Sequence, residues 1–361
     1  VAGSIVEKYG ILVPFMDEER AWLTGNHVFL SPEFGEDRML DLREPVEIRL
    51  RFDLPESMAL IGPPPSVELQ NLHELLSLQF GLGDFEVLPV HGSGWKGEVI
   101  LMDGPAISSD ERKRLVTAME AMTERTGRLF GGVPFDSVGL LAFHADGFGG
   151  LEGSWACQAY FPPDVDLADE RDSRVSIFFR VAFHELVHTW LPIGIFPLED
   201  PWVKEGVTSY YGNVLAAREG FIGPADVDRL FGRYEDDVFG EVDLESVRLS
   251  DPRLWHEEYS SESWRRVSYE RGHAVTLLLD VHLRTESDNR RSLDHVMRLL
   301  FERHRGEGFG RDDLLAAIRD ATGVEVGDFF TTWVDGVDAP PSAAVDRALR
   351  EAVRFGVYDA D

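Results

Sequence analysis

His184-Glu185-Leu186-Val187-His188 constrains this chain more than any other stretch. Residues four apart on a helix sit one above the other on one face, so both imidazoles can reach a common point. Glu185 projects beside that point, where a carboxylate can take a proton from a metal-polarised water. The approach Ser176-Ile-Phe-Phe-Arg-Val-Ala-Phe-His184 is apolar and unbroken, and no proline follows until Pro192, which predicts a helix over 174–191. A plain helix with two histidines and a surface carboxylate would share this spacing, so the metal reading needs a third donor.

Trp202-Val-Lys-Glu-Gly-Val-Thr-Ser-Tyr-Tyr-Gly212 supplies one. A catalytic zinc site takes three protein ligands and keeps one position open. Glu205 is the natural third ligand, on a second helix over 203–218 packed antiparallel to the first. The sixteen residues 189–204 contain Pro192, Pro197 and Pro201 and suffice for a helix end, a loop and a new helix start. Gly206 is expected to let the two helices approach closely around the ion, and Ser209, one turn on, to hydrogen-bond a ligand from behind. The competing reading of Glu205 is a first-turn carboxylate favoured by the helix dipole. By donor type the metal is zinc, one per chain, although cobalt or manganese would fit the same nitrogen and oxygen set.

The stretches His184–Trp190 (HELVHTW), Glu205–Tyr211 (EGVTSYY) and Gly149–Glu152 (GGLE), with Val267-Ser-Tyr-Glu-Arg-Gly-His-Ala-Val-Thr-Leu-Leu-Leu-Asp280 and Asn289–Arg298, resemble the M61 glycyl aminopeptidase family. These are gluzincins related to the M1 aminopeptidases. The similarity runs in order from about Tyr9 to about Gly336. It implies an α+β protein with a β-rich N-terminal domain (1–105), a thermolysin-like zinc catalytic domain (106–240) and a C-terminal helical domain (241–361) that supplies an active-site tyrosine. It further implies that Glu152 binds the substrate's free α-amino group, that Gly149 and Gly150 let substrate backbone lie along an edge strand, and that Tyr269 stabilises the tetrahedral oxyanion. The implied reaction is zinc-dependent removal of a small N-terminal residue, Gly or Ala, from peptides. Alternatives are an endopeptidase on the same site and a non-catalytic peptide-binding scaffold.

Two positions depart from the family. Gly153 stands where histidine usually follows GGLE, and Arg271 stands where lysine is usual in the tyrosine motif; Arg keeps the charge but changes donor geometry, which puts subsite details in question. The family comparison also has the chain entering part-way through the N-terminal β-domain and stopping before a PDZ domain.

Composition narrows the partners. With 65 acidic against 35 basic residues the net charge is −30, which disfavours nucleic acid and anionic lipid. Lysine occurs four times, at Lys8, Lys96, Lys113 and Lys204, a pattern compatible with salt adaptation or with codon bias. No apolar run reaches the roughly 20 residues needed to span a bilayer. One cysteine, Cys157, excludes an internal disulfide framework and reads as a small buried residue on a strand. Cytoplasmic residence is expected, with secreted and periplasmic settings left open. Oligomeric state is not legible.

Alternation in Val46–Phe52 and Glu98–Met102 predicts strands in a first hundred residues without helical periodicity. Ser108-Ser-Asp-Glu111 opens a helix to about Phe130, and Ser137–His144 is a buried strand candidate. Further helices are expected near 223–238, 263–284, 291–304, 310–321 and 325–334. His144, His256, His273, His282, His295 and His304 lack ligand spacing and are expected to be structural.

Overall fold

A computed structural model describes residues 15–16, 20–28, 46–56, 58–69, 71–135, 137–223, 226–227, 247–257 and 262–359. It divides into two compact units: residues 1–124 with 135–189, and residues 125–134 with 190–361. Most of the helix expected over 223–238 lies outside the described residues. Among the described residues no helix is long and apolar enough to cross a membrane.

The first unit is built on a five-stranded mixed sheet in the order Gly149–Leu151, Ala156–Phe161, Ser137–His144, Lys96–Leu101, Glu86–His91. The three inner strands run parallel, and each edge strand is antiparallel to its neighbour. Inner parallel strands are covered on both faces and therefore read as continuous apolar runs. Val-Gly-Leu-Leu-Ala-Phe and Ala-Cys-Gln-Ala-Tyr-Phe fit that description, and Cys157 is fully buried as expected. A second, four-stranded sheet includes Ala21–Thr24 and Gln79–Leu82, and Ile48–Arg51 pairs with Ser66–Leu69. Among the described residues of the first hundred, strands are the main regular structure, and the alternating stretches Val46–Phe52 and Glu98–Met102 fall on Ile48–Arg51 and Lys96–Leu101. They also contain a short helix, Leu72–Leu76, capped by the Asn71 side chain accepting from the Glu74 amide at 2.9 Å. The helix Ser109–Phe130 opens on a reciprocal cap: Ser108 N–H donates to Glu111 Oε2 at 2.8 Å, and Glu111 N–H to Ser108 Oγ at 3.2 Å.

Helix Ser173–Val187 packs on the Ala156–Phe161 strand. Asp172 caps it by accepting from the Arg174 amide at 2.9 Å. Val175, Phe178, Phe179, Ala182, Phe183 and Leu186, at 3–4 residue spacing, are all at most 2% exposed. Phe and Val give up a few tenths of a kcal/mol each in helix propensity, whereas burying each large side chain contributes about 1.5–3 kcal/mol. Packing, not propensity, therefore holds this helix. It ends at Val187 with His188 as its cap, short of the expected 191, and the Thr189 N–H turns back to the Leu186 carbonyl at 3.0 Å.

The second unit is mainly helical: Thr208–Arg218, Gly272–Glu286, Leu293–His304, Arg311–Thr322, Gly327–Trp333 and Ser342–Arg354. The last of these has no counterpart in the sequence expectations. Arg298 and Trp190 hold the end of the 109–130 helix and its following turn, with Arg298 Nη2 donating to the Arg128 carbonyl at 2.7 Å and Trp190 Nε1 to the Gly132 carbonyl at 2.7 Å.

Asp280, 0% exposed, is the polar centre of this unit. Its carboxylate accepts from Tyr210 Oη at 2.7 Å, Arg284 Nε at 2.8 Å and the Leu293 amide at 2.7 Å, tying three helices to one residue. Removing it would leave a buried guanidinium, phenol and amide without their acceptor. Asp280→Ala is expected to cost about 3–5 kcal/mol and to lower the melting temperature by on the order of 10 °C. A thermal melt within about 2 °C of wild type would show that the network carries little of the stability.

Candidate metal centre

His184 and His188 occupy the last turn and the cap of helix Ser173–Val187. Their Nε2 atoms lie 3.0 Å apart, with the ring planes at 90°. Two nitrogens sharing a tetrahedral zinc at 2.0–2.1 Å would be separated by roughly 3.3 Å, so the pair fits one ion with a small outward adjustment. His184, Glu185 and His188 form the one group of three or more His, Cys, Asp or Glu among the described residues whose ligand atoms all lie within 4.8 Å of one another. His188 is 1% and Glu185 8% exposed, the other side of the helix being packed on the sheet.

Glu185 is held by the edge strand beside it. A Cβ at Gly150 would overlap Glu185 Cγ and lie 2.7 Å from its Cδ and 2.6 Å from the Gln158 carbonyl oxygen. A Cβ at Gly149 would overlap the Tyr160 hydroxyl and lie 2.5 Å from Cζ. Both glycines are therefore demanded by the protein's own side chains, one on each face of the strand. Sequence reasoning attributes them to room for substrate; the contacts within the fold are a sufficient cause. Burial raises the Tyr160 phenol above its ordinary range, with Glu185's negative charge adding to the effect.

Gln79 is the residue that sequence reasoning misses. It comes from a strand of the other sheet, is 0% exposed, and uses its amide fully. Its Nε2 donates to the carbonyls of Glu152 at 2.8 Å and Leu151 at 3.3 Å, and its Oε1 accepts from Gln158 Nε2 at 3.0 Å. This clamp fixes the backbone at Glu152. It also accounts for Gly153: a Cβ there would lie 2.5 Å from Gln79 Cγ and overlap the Ala156 carbonyl oxygen. No local signal distinguishes Gln79 in the sequence, because its side-chain partners lie 57 to 79 residues away.

In the second unit Glu205 and Tyr269 each sit at the middle of a five-residue π turn, Val203–Val207 and Val267–Arg271. Glu205 is 0% exposed, and Lys204 Nζ lies 2.9 Å from its Oε1. Upstream, buried Asp200 accepts from Trp202 Nε1 at 3.2 Å and pairs with Arg311, which anchors the segment entering the turn. Gly206 makes a close approach within its own unit. A Cβ there would lie 2.6 Å from the Gly272 carbonyl carbon, so the glycine serves contact with the tyrosine-bearing helix. Ser209 is half-buried one turn further on, and its carbonyl accepts from Asn213 Nδ2 at 2.9 Å.

Arg271 is fully buried and turned into the core of its unit. Its Nη1 donates to the carbonyls of Val247 at 2.8 Å and Val337 at 2.9 Å, and its Nη2 to Gly336 at 2.8 Å and Trp333 at 3.3 Å. The arginine-for-lysine departure thus has a structural cause, a planar fork reaching four carbonyls, instead of the altered subsite considered from sequence. The other histidines have packing roles where described. His144 meets Phe161 edge-on, His273 lies beside Tyr210, His282 stacks on Phe329, His304 lies against Phe309, and His295 Nδ1 caps its helix by accepting from the Ser292 amide at 3.2 Å. The side chain of His256 lies outside the described set.

By sequence, no family model and no curated protein matches this chain. Its fold is similar to solved structures. An aminopeptidase N family protein from Idiomarina loihiensis superposes with a TM-score of 0.75 at 19% identity, over 92% of this chain and 62% of that one. An M1 zinc metallopeptidase from Deinococcus radiodurans gives 0.58 at 18% identity, over 90% of this chain and 72% of that one. A point mutant of that enzyme bound to a Tyr-Ser-Ala substrate gives 0.56 at 18% identity, over 83% and 66%. The chain thus spans less than two thirds of the length of the first of these, and the likeness establishes a shared fold.

Behind Glu185 in the same unit, Cys157 is sealed into the sheet, and burial pushes its thiol far above the usual range, reinforced by Glu185's charge. Native protein is expected to show no reaction with a disulfide reagent at neutral pH and one thiol per chain after denaturation. Rapid reaction of the native protein would contradict this packing.

Proposed function

We propose that this protein is a zinc-dependent aminopeptidase of the gluzincin type, related to the M61 glycyl aminopeptidases, that removes a small N-terminal residue, Gly or Ala, from peptides. The observation that carries the proposal is the His184–His188 nitrogen pair, 3.0 Å apart with Glu185 between. The fold shared with M1 zinc metallopeptidases supports it. The proposed organisation keeps a β-rich domain over 1–105, a catalytic domain over 106–240 and a helical domain over 241–361, acting in the cytoplasm.

One zinc per chain would be held by His184, His188 and Glu205, with Ser209 supporting a ligand from behind. When bound, the metal supplies Lewis acidity toward water and the scissile carbonyl. Glu185 then accepts the water proton and later delivers it to the leaving amine, a role suited to a carboxylate held in place by Gly150 and the sheet. Tyr269 donates a hydrogen bond to the developing oxyanion. Glu152 takes the free α-amino group, its backbone clamped by Gln79 so that the carboxylate starts from a fixed point. Gly149 and Gly150 line the strand along which the peptide lies.

Hydrolysis of glycyl- and alanyl-para-nitroanilide by zinc-loaded protein, beside the amino-acetylated substrates, tests the reading. Cleavage confined to free amines and abolished by a chelator is expected; equal cleavage of blocked substrates would make the enzyme an endopeptidase. Peptide binding without turnover would support the scaffold alternative. Glu185→Gln should keep zinc, measured by metal analysis, yet lose at least about a hundredfold in turnover, and robust residual activity would remove the base role. Glu152→Ala should narrow the preference for free over acetylated amines, and an unchanged ratio would count against the anchor.

A further inference from the structure

Glu205 and Tyr269 share an arrangement that motif spacing does not contain. Each is the third residue of a five-residue π turn, and each turn runs directly into an α-helix, Thr208–Arg218 and Gly272–Glu286. A π turn adds one residue to the helical circuit and so re-aims the side chains within it relative to the helix that follows; such turns cluster at functional sites. The two π turns pack against each other.

Their contact is backbone to backbone. A Cβ at Gly206 would lie 2.6 Å from the Gly272 carbonyl carbon, 2.7 Å from its Cα and 2.8 Å from its oxygen, and a Cβ at Gly272 would lie 2.9 Å from Gly206 Cα. No flexible side chain stands at the contact to yield, so any added carbon must push the turns apart. Behind the second turn, Arg271 locks its C-terminal end through four carbonyl oxygens of other segments of the same unit. Further along the same two helices, Tyr210 and Asp280 join them again at 2.7 Å.

We propose that Gly206 and Gly272 are a positioning pair, whose direct backbone contact, braced by Arg271, sets Tyr269 relative to the turn that carries Glu205. The proposal rests on the peptidase reading for its kinetic consequence and on geometry alone for its structural one. Both glycines are positioning residues that reach the chemistry only through Tyr269 and Glu205. A displacement of about 1 Å at a catalytic group can cost on the order of a hundredfold in rate, and the separation that an alanine would force is of that size.

The test labels Tyr269 as 3-fluorotyrosine and compares the fluorine NMR line of zinc-loaded protein with and without Gly272→Ala. The same preparations, unlabelled, give kcat and KM on alanyl-para-nitroanilide for wild type, Gly272→Ala, Tyr269→Phe and the double variant. The fluorine line is expected to move by more than its width. Gly272→Ala is expected to lower kcat by about 30- to 100-fold with KM within about threefold, and to cost less than about threefold once Tyr269 is phenylalanine. An unmoved line, or a kcat loss repeated in full in the Tyr269→Phe background, overturns the positioning role. A wild type without hydrolysis sinks the peptidase reading separately, and the fluorine line still decides the glycine pair. If Gly272→Ala does not fold, Arg271→Lys carries the comparison, because one ammonium cannot span the four carbonyls.

Discussion

Everything at the candidate metal centre depends on one helix being anchored on the sheet along one face. Helix Ser173–Val187 lays Phe178, Phe179, Ala182, Phe183 and Leu186 on the sheet, and that anchoring fixes its rotation. With rotation fixed, the i and i+4 histidines can only emerge together, their nitrogens 3.0 Å apart. A helix held by propensity alone would have no such fixed rotation, since propensity is indifferent to which face is which. The chemistry is therefore a by-product of hydrophobic packing arranged with one polar corner.

Glycine does a second job throughout the described structure. Gly150 admits Glu185, Gly149 admits the Tyr160 ring, Gly153 leaves room for Gln79, and Gly206 meets Gly272. In each case the missing side chain is replaced by a specific neighbour, and three of those neighbours carry polar groups. The glycines act as sockets: they hold functional or network side chains at distances that a Cβ would forbid. In GGLE the two glycines make room for Tyr160 and Glu185, and Gln79 holds the strand end at Glu152.

Buried polar networks do the corresponding work in the second unit. Asp280, Arg271 and Asp200 are each buried and each hydrogen-bonded to several partners, with Arg311 partly exposed beside Asp200. Such groups are costly to desolvate and are tolerated only when fully hydrogen-bonded. That requirement makes them directional, unlike the apolar contacts around them. Asp200 lies just before the turn that carries Glu205, and Arg271 ends the turn that carries Tyr269.

The helix bearing His184 and His188, the buried inner strands and the helix starting after Ser108 were all legible in the sequence, because each rests on local periodicity or a local cap. The fully buried Cys157 was legible for the same reason. Tertiary structure alone decided the rest. Gln79 reaches Glu152 across more than 70 residues of chain, and Gly206 faces a glycine 66 residues on, pairings that no local window contains. The π turns were illegible because an i to i+5 circuit is set by packing and leaves the apolar pattern nearly unchanged. Arg271 read as a subsite residue since its charge is visible in sequence, whereas the four carbonyls that accept its hydrogen bonds belong to the folded backbone and carry no side-chain signature.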